Sequence, residues 1–92
     1  MRQGFPPIVA LDERAAAHHA LGMVLALGRP VAVCCTSGTA ALNHGPALAE
    51  AHRMGLPLLS LTADRPPGAA DRWESQTLEQ DRLHDRLVPV SY

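Results

Sequence analysis

The chain has 92 residues, of which 47% are hydrophobic, 18% are charged and only 3% are aromatic. This length allows at most one domain, and the hydrophobic content disfavours an intrinsically disordered chain, which needs low hydrophobicity and high net charge. The formal net charge of -1 provides no electrostatic attraction for nucleic acid or an anionic membrane. No apolar run approaches the roughly 18 residues of a membrane-spanning helix, so no integral membrane segment is expected.

The only two cysteines, Cys34 and Cys35, are neighbours within an apolar run. A bond between adjacent cysteines is strained and closes no useful loop, which excludes a disulfide framework. We therefore expect reduced, buried thiols. Together with the lack of a signal-peptide core near the first residue, they predict a cytoplasmic protein.

Two strand–helix units are predicted in the first half of the chain, where short Val- and Leu-rich runs alternate with Ala-rich segments. The first unit has a strand over Pro7–Leu11 and a helix over Glu13–Leu27, with Gly28 as a plausible C-terminal cap. The second has a strand over Val31–Cys35 and a helix from about Thr39 to Met54. This order predicts a parallel sheet.

A break within the second helix is predicted at Gly45 and Pro46, because proline removes a hydrogen-bond donor and clashes with the preceding turn. Gly55 ends that helix. A third strand is predicted over Pro57–Thr62. The proline pair Pro66–Pro67 forbids both a continued ladder and an immediate helix, so a loop follows.

The last quarter of the chain is polar, apart from a few leucines. The spacing of Leu78, Leu83 and Leu87 predicts a short amphipathic helix from about Ser75 to Arg86. Residues Val88–Tyr92 could open a fourth strand.

The strands show no polar alternation, so each is expected to be covered on both faces, as in doubly wound sheets. The predicted fold class is α/β, with a partial doubly wound parallel sheet of three βα units. We expect a single partial domain over residues 1–92. Ligands of such sheets collect at the carboxyl ends of the strands, so the three strand exits are the candidate sites.

At two of the strand exits, the side chains could either bind a ligand or stabilise the start of a helix. Glu13 lies in the first turn of its helix, where the macrodipole favours a carboxylate by about 0.3–1 kcal/mol, so a helix-terminal charge is the alternative to a catalytic role. The turn Thr36, Ser37, Gly38, Thr39 could hold an anion or a polar ring edge. Ordinary N-capping by Ser37 is its alternative.

The third exit carries Arg65, whose planar fork can bind a carboxylate through two hydrogen bonds. The alternative is an internal ion pair with Asp64 or Asp71. Gln76 and Gln80 lie one helical turn apart in the predicted last helix and, taken alone, would be interpreted as solvated.

The spacing of the residues argues against a serine nucleophile elbow and against a metal site. Ser37 lacks the glycine two places earlier that a nucleophile elbow requires, since Cys35 is there. His18 and His19 are adjacent and point to different helix faces, and the chain has no cysteine pair with zinc spacing. No metal ligands are predicted in this chain.

The chain resembles one enzyme family in four segments taken in order: LDERAAAHHALG, RPVAVCCTSGTAALNHGPALAEA, LPLLSLTADRPPGAAD and SQTLEQ. The family is the thiamine diphosphate-dependent 2-succinyl-5-enolpyruvyl-6-hydroxy-3-cyclohexene-1-carboxylate synthases of menaquinone biosynthesis. The resemblance runs from Leu11 to about Gln80, and the combination of DER, CTSGTA and LTADRPP is specific. It implies part of the N-terminal pyrimidine-binding domain, without its first strand.

The resemblance also implies roles for individual residues. It makes Glu13 the catalytic carboxylate that activates the cofactor, and it makes Arg65 and Gln76 contacts to the acceptor substrate. Its cofactor-binding residues are Glu13, Thr36, Ser37, Gly38, Thr39 and Asn43.

For the full-length enzyme, the resemblance implies a transferase with thiamine diphosphate and Mg²⁺ as cofactors, 2-oxoglutarate and isochorismate as substrates, and a homo-oligomer, either dimer or tetramer. The Mg²⁺ and diphosphate site lies outside the resembled region, so this chain alone should be inactive. The alternatives are another carboligase, such as an acetolactate synthase-like protein, and a noncatalytic α/β module that binds a partner.

The resemblance is interrupted near the acceptor contacts. The family has GANQ where this chain has WESQ, and Gly68 follows the proline pair in place of the family's glutamate. Trp73 and Glu74 thereby add bulk and a negative charge beside a site for anions.

Overall fold

The computed structural model describes residues 7–69 and 71–90. Three helices and two strands follow in the order α1 (Glu13–Leu27), β1 (Val31–Cys35), α2 (Thr39–Leu42), α3 (Gly45–Met54) and β2 (Leu58–Thr62). The α/β class and the parallel pairing are confirmed.

Helix α1 has a well-defined cap at each end. At its start, Asp12 is in an extended conformation, and its Oδ2 accepts a hydrogen bond from the Ala15 N–H at 2.8 Å. At its end, Gly28 adopts the left-handed conformation with φ 66°, and its N–H donates to the Val24 carbonyl. These caps explain why the predicted bounds of this helix match the observed ones.

The predicted break between the second and third helices is confirmed. Helix α2 ends at Leu42, and α3 restarts at Gly45 with Pro46 in its first turn, where a missing N–H costs no hydrogen bond. Gly55 ends α3 in the left-handed conformation, with φ 68°.

Strands β1 and β2 pair in parallel, in register from Val31 opposite Leu58 to Cys35 opposite Thr62. Helices α1 and α3 cover one face of the sheet. Small side chains fill that interface, which lets the helices approach the strands closely. The buried cluster consists of Ala17, Ala20, Val33 and Ala47.

The expectation that both sheet faces would be covered is wrong for the described residues. Leu59 and Leu61 point away from the helices, and 48% and 51% of their surfaces are exposed. The single crossover between β1 and β2 places α2 and α3 on one side only, and α1 packs on that same side. Cys34 also lies on the open face, so its thiol is exposed rather than buried as predicted.

The strand predicted over Pro7–Leu11 is wrong, and the described sheet therefore contains two strands rather than those of three βα units. Residues 7–11 are irregular, and Val9 is 83% exposed. An apolar run becomes a strand only where a neighbouring strand pairs with its backbone, and none of the described strands does so here.

The helix predicted over Ser75–Arg86 is also wrong, because this stretch consists of turns and an irregular segment over residues 77–80. Gln76 and Arg82 have positive φ angles of 53° and 63°, which interrupt any helix. The fourth strand predicted over Val88–Tyr92 is not formed at residues 88–90, and its last two residues lie outside the described part of the chain.

None of the helices in the described ranges is both long enough and apolar enough to cross a membrane.

Candidate functional site

The turn after β1 is covered by the segment around Gln76. Ser37 is only 2% exposed, and its hydroxyl donates a hydrogen bond of 2.8 Å to the Gln76 carbonyl. A Cβ added at Gly38 would lie 2.9 Å from the Gln76 carbonyl carbon. Gly38 also has φ 76° and ψ -141°, a conformation essentially restricted to glycine. Both packing and backbone geometry therefore require glycine at this position.

Gln80 connects the turn after β1 to the end of β2. Its Oε1 accepts from the Gly38 N–H at 2.8 Å, and its Nε2 donates to the Ala63 carbonyl at 2.9 Å. Sequence reasoning missed this role. The only available signal was the four-residue interval to Gln76, and that interval was assigned to a helix that does not form.

Arg65 lies just beyond β2 and contacts Gln76. Its Nη2 donates to Gln76 Oε1 at 3.2 Å, while its backbone N–H donates to Asp64 Oδ1 at 2.7 Å. Within the described residues, the guanidinium takes part in no ion pair, so the internal bridge to Asp64 or Asp71 is not formed there. A shallow hollow of about 140 Å³ adjoins Arg65 and the proline pair. The guanidinium is thus hydrogen-bonded to a neutral amide, and the hollow beside it is also lined by the acidic residues Asp64, Glu79 and Asp81.

Glu13 lies half-buried at the first residue of α1. Its charge acts on two groups near the β1 exit. Burial raises the pKa of the Cys35 thiol, and the negative charges of Glu13 and Cys34 raise it further. The same Glu13 charge opposes the lowering of the His44 pKa. The carboxylate is therefore electrostatically coupled to the end of β1.

The remaining predicted cofactor residues differ in accessibility. Thr36 and Thr39 are exposed, whereas Asn43 is half-buried and its Nδ2 donates to the Thr39 carbonyl at 2.8 Å. The Ser37 hydroxyl and the Gly38 N–H already have intramolecular partners. Of the side-chain hydroxyls in this turn, those of Thr36 and Thr39 are thus the ones open to a ligand.

Hydrogen bonds bring several predicted site residues together. They join Ser37 to Gln76 and Gln76 to Arg65, so residues predicted to bind the cofactor lie next to residues predicted to bind the acceptor. No hydrogen bond or ion pair among the described residues joins the Glu13 side chain to this cluster, although its charge raises the pKa of Cys35, two residues before Ser37.

A buried histidine, His44, contacts β2 and was not predicted as a functional residue. His44 is 0% exposed, and its Nδ1 is 2.6 Å from Ser60 Oγ in β2. Burial lowers its pKa, and nearby His84 lowers it further. His84 Nε2 lies 2.9 Å from the Ala41 carbonyl and, because a carbonyl only accepts, must carry a proton. This contact joins the segment around His84 to α2.

An open groove of about 730 Å³ runs along β2. It is lined mainly by apolar side chains of α3, β2 and residues 83–90, such as Leu48, Leu58, Leu83 and Leu87. Gln80 lines this groove, whereas Ser37, Arg65 and Gln76 do not. The groove is therefore largely separate from the predicted site.

The described residues include no group of three or more histidine, cysteine, aspartate or glutamate side chains suited to a metal ion. What the strand exits offer is one half-buried carboxylate, two exposed hydroxyls and a guanidinium. This donor set fits an organic cofactor with a hydrogen-bonding ring and an anionic substrate.

Comparison with known proteins agrees with the resemblance in the motifs. Residues 1–84 match the family described as "Thiamine pyrophosphate enzyme, N-terminal TPP binding domain". A protein of Desulfotalea psychrophila named 2-succinyl-5-enolpyruvyl-6-hydroxy-3-cyclohexene-1-carboxylate synthase is 51% identical over 82 residues, which are 89% of this chain and 15% of that protein.

Two further proteins with the same name are similar to this chain. The one from Roseiflexus sp. is 55% identical over 78 residues, covering 85% of this chain and 13% of that protein. The one from Bacteroides thetaiotaomicron is 46% identical over 88 residues, covering 96% of this chain and 16% of that protein. The chain thus spans less than a fifth of the length of these relatives. It belongs to the family of thiamine pyrophosphate enzymes, as part of their N-terminal TPP-binding domain.

Proposed function

We propose that this chain forms the pyrimidine end of the cofactor site in a thiamine diphosphate-dependent 2-succinyl-5-enolpyruvyl-6-hydroxy-3-cyclohexene-1-carboxylate synthase. The complete enzyme would decarboxylate 2-oxoglutarate and add the succinyl semialdehyde unit to isochorismate. The observation that carries this proposal is the cluster of Ser37, Gln76 and Arg65, which joins a predicted cofactor turn to a predicted acceptor contact. The names of the relatives support it.

Glu13 is proposed as the catalytic carboxylate. Thiamine diphosphate, when bound, supplies the electron sink that decarboxylation of a 2-oxo acid requires. The part of Glu13 is to hold a hydrogen bond with a ring nitrogen of the aminopyrimidine. A half-buried position in the first helical turn suits this role, because the helix N-terminus stabilises a negative charge there.

The turn after β1 is proposed to line the same ring. The exposed hydroxyls of Thr36 and Thr39 are free to contact it, and Asn43 supports Thr39 from the next turn. Ser37 and Gly38 contribute by fixing the turn against Gln76 and Gln80, since their polar groups are already used there.

Arg65 and Gln76 are proposed to bind the carboxylates of isochorismate. A guanidinium binds a carboxylate through two parallel hydrogen bonds, and such a pair is stronger than a neutral one. The Gln76 amide oxygen holds one end of the guanidinium from a fixed position, so less side-chain freedom is lost on binding.

The chain is proposed to act only within a larger assembly, as one partial domain. The open sheet face with Leu59 and Leu61 supports packing against further polypeptide in a homo-oligomeric enzyme, either dimer or tetramer. Mg²⁺ and the diphosphate group are proposed to bind elsewhere in that enzyme, and the free thiols support a cytoplasmic location.

The test is a substrate assay of the complete enzyme that carries this domain. Consumption of 2-oxoglutarate that depends on isochorismate is expected. Carboligation of pyruvate without any use of isochorismate would contradict the proposal and favour an acetolactate synthase-like enzyme. Calorimetry of the 92-residue chain with thiamine diphosphate and Mg²⁺ is expected to show no binding, and tight binding would contradict the proposed need for further polypeptide.

A further inference from the structure

One side chain, Gln80, spans the exits of both strands. It accepts from the Gly38 N–H at 2.8 Å, at the turn proposed to line the cofactor. It donates to the Ala63 carbonyl at 2.9 Å, two residues before the proposed acceptor contact Arg65. Both halves of its amide are thus used, one at each strand exit.

Only a primary amide of this length can make both contacts. A carboxylate of the same length can accept from the Gly38 N–H, but it has no proton to donate to the Ala63 carbonyl. A methionine side chain has a similar length and provides neither strong bond. Comparison of the glutamate and methionine variants therefore distinguishes the contribution of the Gly38 bond from that of the Ala63 bond.

The link also determines where Gln76 lies. The Gln76 carbonyl accepts from Ser37, and its side-chain oxygen accepts from Arg65. Gln80 follows four residues later and attaches the same segment to both exits. The position of the guanidinium relative to the cofactor turn therefore depends on where residues 76–80 lie.

We propose that Gln80 is a positioning residue for acceptor recognition: by bridging Gly38 and Ala63, it fixes the separation between the cofactor turn and Arg65 without touching substrate. The proposal rests on the proposed function, because it takes Arg65 to bind the acceptor. It extends that function by adding a side-chain link between the turn after β1 and the residues that lead to Arg65, beyond the backbone bond from the Ala63 N–H to the Cys35 carbonyl.

The first measurement tests the link itself in the 92-residue chain. Amide hydrogen exchange of Gly38 is followed by NMR in the unchanged chain, in Gln80→Glu and in Gln80→Met. Protection is expected to persist in Gln80→Glu and to fall about tenfold in Gln80→Met, as for the loss of one neutral hydrogen bond. Unchanged protection in Gln80→Met would overturn the link.

The second measurement uses the complete enzyme and separates positioning from simple structural support. Both variants are expected to raise the KM for isochorismate about tenfold and to leave the KM for 2-oxoglutarate within about twofold. Because methionine adds no charge, its effect is independent of repulsion between the new carboxylate and the acceptor. Arg86→Gln, an exposed change in the same part of the chain, serves as the control and should alter neither KM.

Equal changes in both KM values, or a fall in kcat alone, would overturn the positioning role and indicate structural support only. If Gln80→Met does not fold, Gln80→Glu keeps the Gly38 bond and still reports the split between the two substrates. If the wild-type enzyme does not use isochorismate, the proposed function is contradicted. The hydrogen-exchange measurement would still decide whether Gln80 links the two strand exits.

Discussion

Residues 12–62 and the tail, defined as residues 63–69 and 71–90, are held in place by different kinds of contact. The first region is fixed by backbone hydrogen bonds within its helices and between its paired strands, and by side chains packed between α1, α3 and the sheet. The described tail contains neither helix nor strand. Hydrogen bonds between side chains and backbone join it to the first region, between Gln80 and Gly38, between His84 and Ala41, and between Ser37 and Gln76. The Ala63 N–H also donates to the Cys35 carbonyl at 3.2 Å.

This difference assigns separate tasks to the two regions. The first region supplies the rigid strand exits and the carboxylate Glu13, whereas the tail supplies Gln76 and Gln80, which complete the cluster around Arg65. The tail is held by a few hydrogen bonds of about 0.5–1.5 kcal/mol each and by half-buried leucines such as Leu83 and Leu87, so we expect its position to be more sensitive to single substitutions than the helices are.

The largest expected effect tests the contribution of the first region. In the complete enzyme, Glu13→Gln is expected to lower kcat by about 10² to 10⁴, because a positioned acid or base typically contributes that much. Glu50→Gln, an exposed change on α3, is the matched control and should leave kcat unchanged. Steady-state kinetics measure both. Full activity of the Glu13 variant would remove Glu13 from the proposed catalytic role.

The contact between the two regions is tested by Gly38→Ala. A Cβ there meets the Gln76 backbone at 2.9 Å in a conformation with φ 76°, so a loss of at least about 2 kcal/mol in the free energy of unfolding is expected from strain and overpacking. Urea titration measures the loss.

Gly22→Ala is the control for this experiment, because a Cβ at Gly22 in α1 meets nothing within 4 Å. That variant should gain about 0.5–1 kcal/mol, since alanine is the better helix former. Equal effects of the two substitutions would mean that the tail does not lie against Gly38.

A pH series tests the buried histidine that contacts β2. Burial and nearby His84 lower the pKa of His44, while Glu13 opposes the shift. Below pH about 6.5 the unfolded chain therefore binds a proton that the folded chain does not. The free energy of unfolding should fall as pH drops through this range, by up to about 1.4 kcal/mol per pH unit from this group.

The histidine contribution is isolated by comparison with His44→Gln, measured by urea titration between pH 7 and pH 5. This variant should show a shallower pH dependence than the unchanged chain, and His52→Gln, an exposed change on α3, should not. An unchanged slope in His44→Gln would show that His44 is not buried in its neutral form.

The smallest expected effect concerns the two sides of the sheet. Cys34 is exposed on the open face, whereas Cys35 is half-buried and its pKa is raised by burial and by Glu13. Because the thiolate is the reactive form, iodoacetamide should modify Cys35 several-fold more slowly than Cys34. Mass spectrometry of Cys34→Ser and Cys35→Ser separates the two rates. Equal rates would mean that something also covers the face with Cys34.

Local signals sufficed to predict most of the first region. Asp12 and Gly28 set the ends of α1, Pro46 set the break before α3, and the Val- and Leu-rich runs set β1 and β2. Such signals act over a few residues and are therefore visible in a single sequence. The run over Pro7–Leu11 has the same composition but no strand paired with it among the described residues, which composition alone cannot reveal.

The tail could not be predicted in the same way. Its leucine spacing favours a helix, but contacts 39 to 43 residues away in sequence, at Ser37, Gly38 and Ala41, override that preference. The family motifs identified Arg65 and Gln76 as candidate site residues. The bridging position of Gln80 required the folded structure, because it depends on two strand ends meeting at one edge of the sheet.

The most direct test of the account is an NMR nuclear Overhauser measurement between Gly38 and Gln76 in the 92-residue chain. The close approach of the two backbones, with an ideal Cβ at Gly38 lying 3.1 Å from the Gln76 Cα, predicts a cross-peak between their α protons. Its presence would establish that the tail lies on the strand exits and completes the candidate site. Its absence in the folded chain, with both resonances assigned, would contradict the arrangement on which the proposed acceptor site depends.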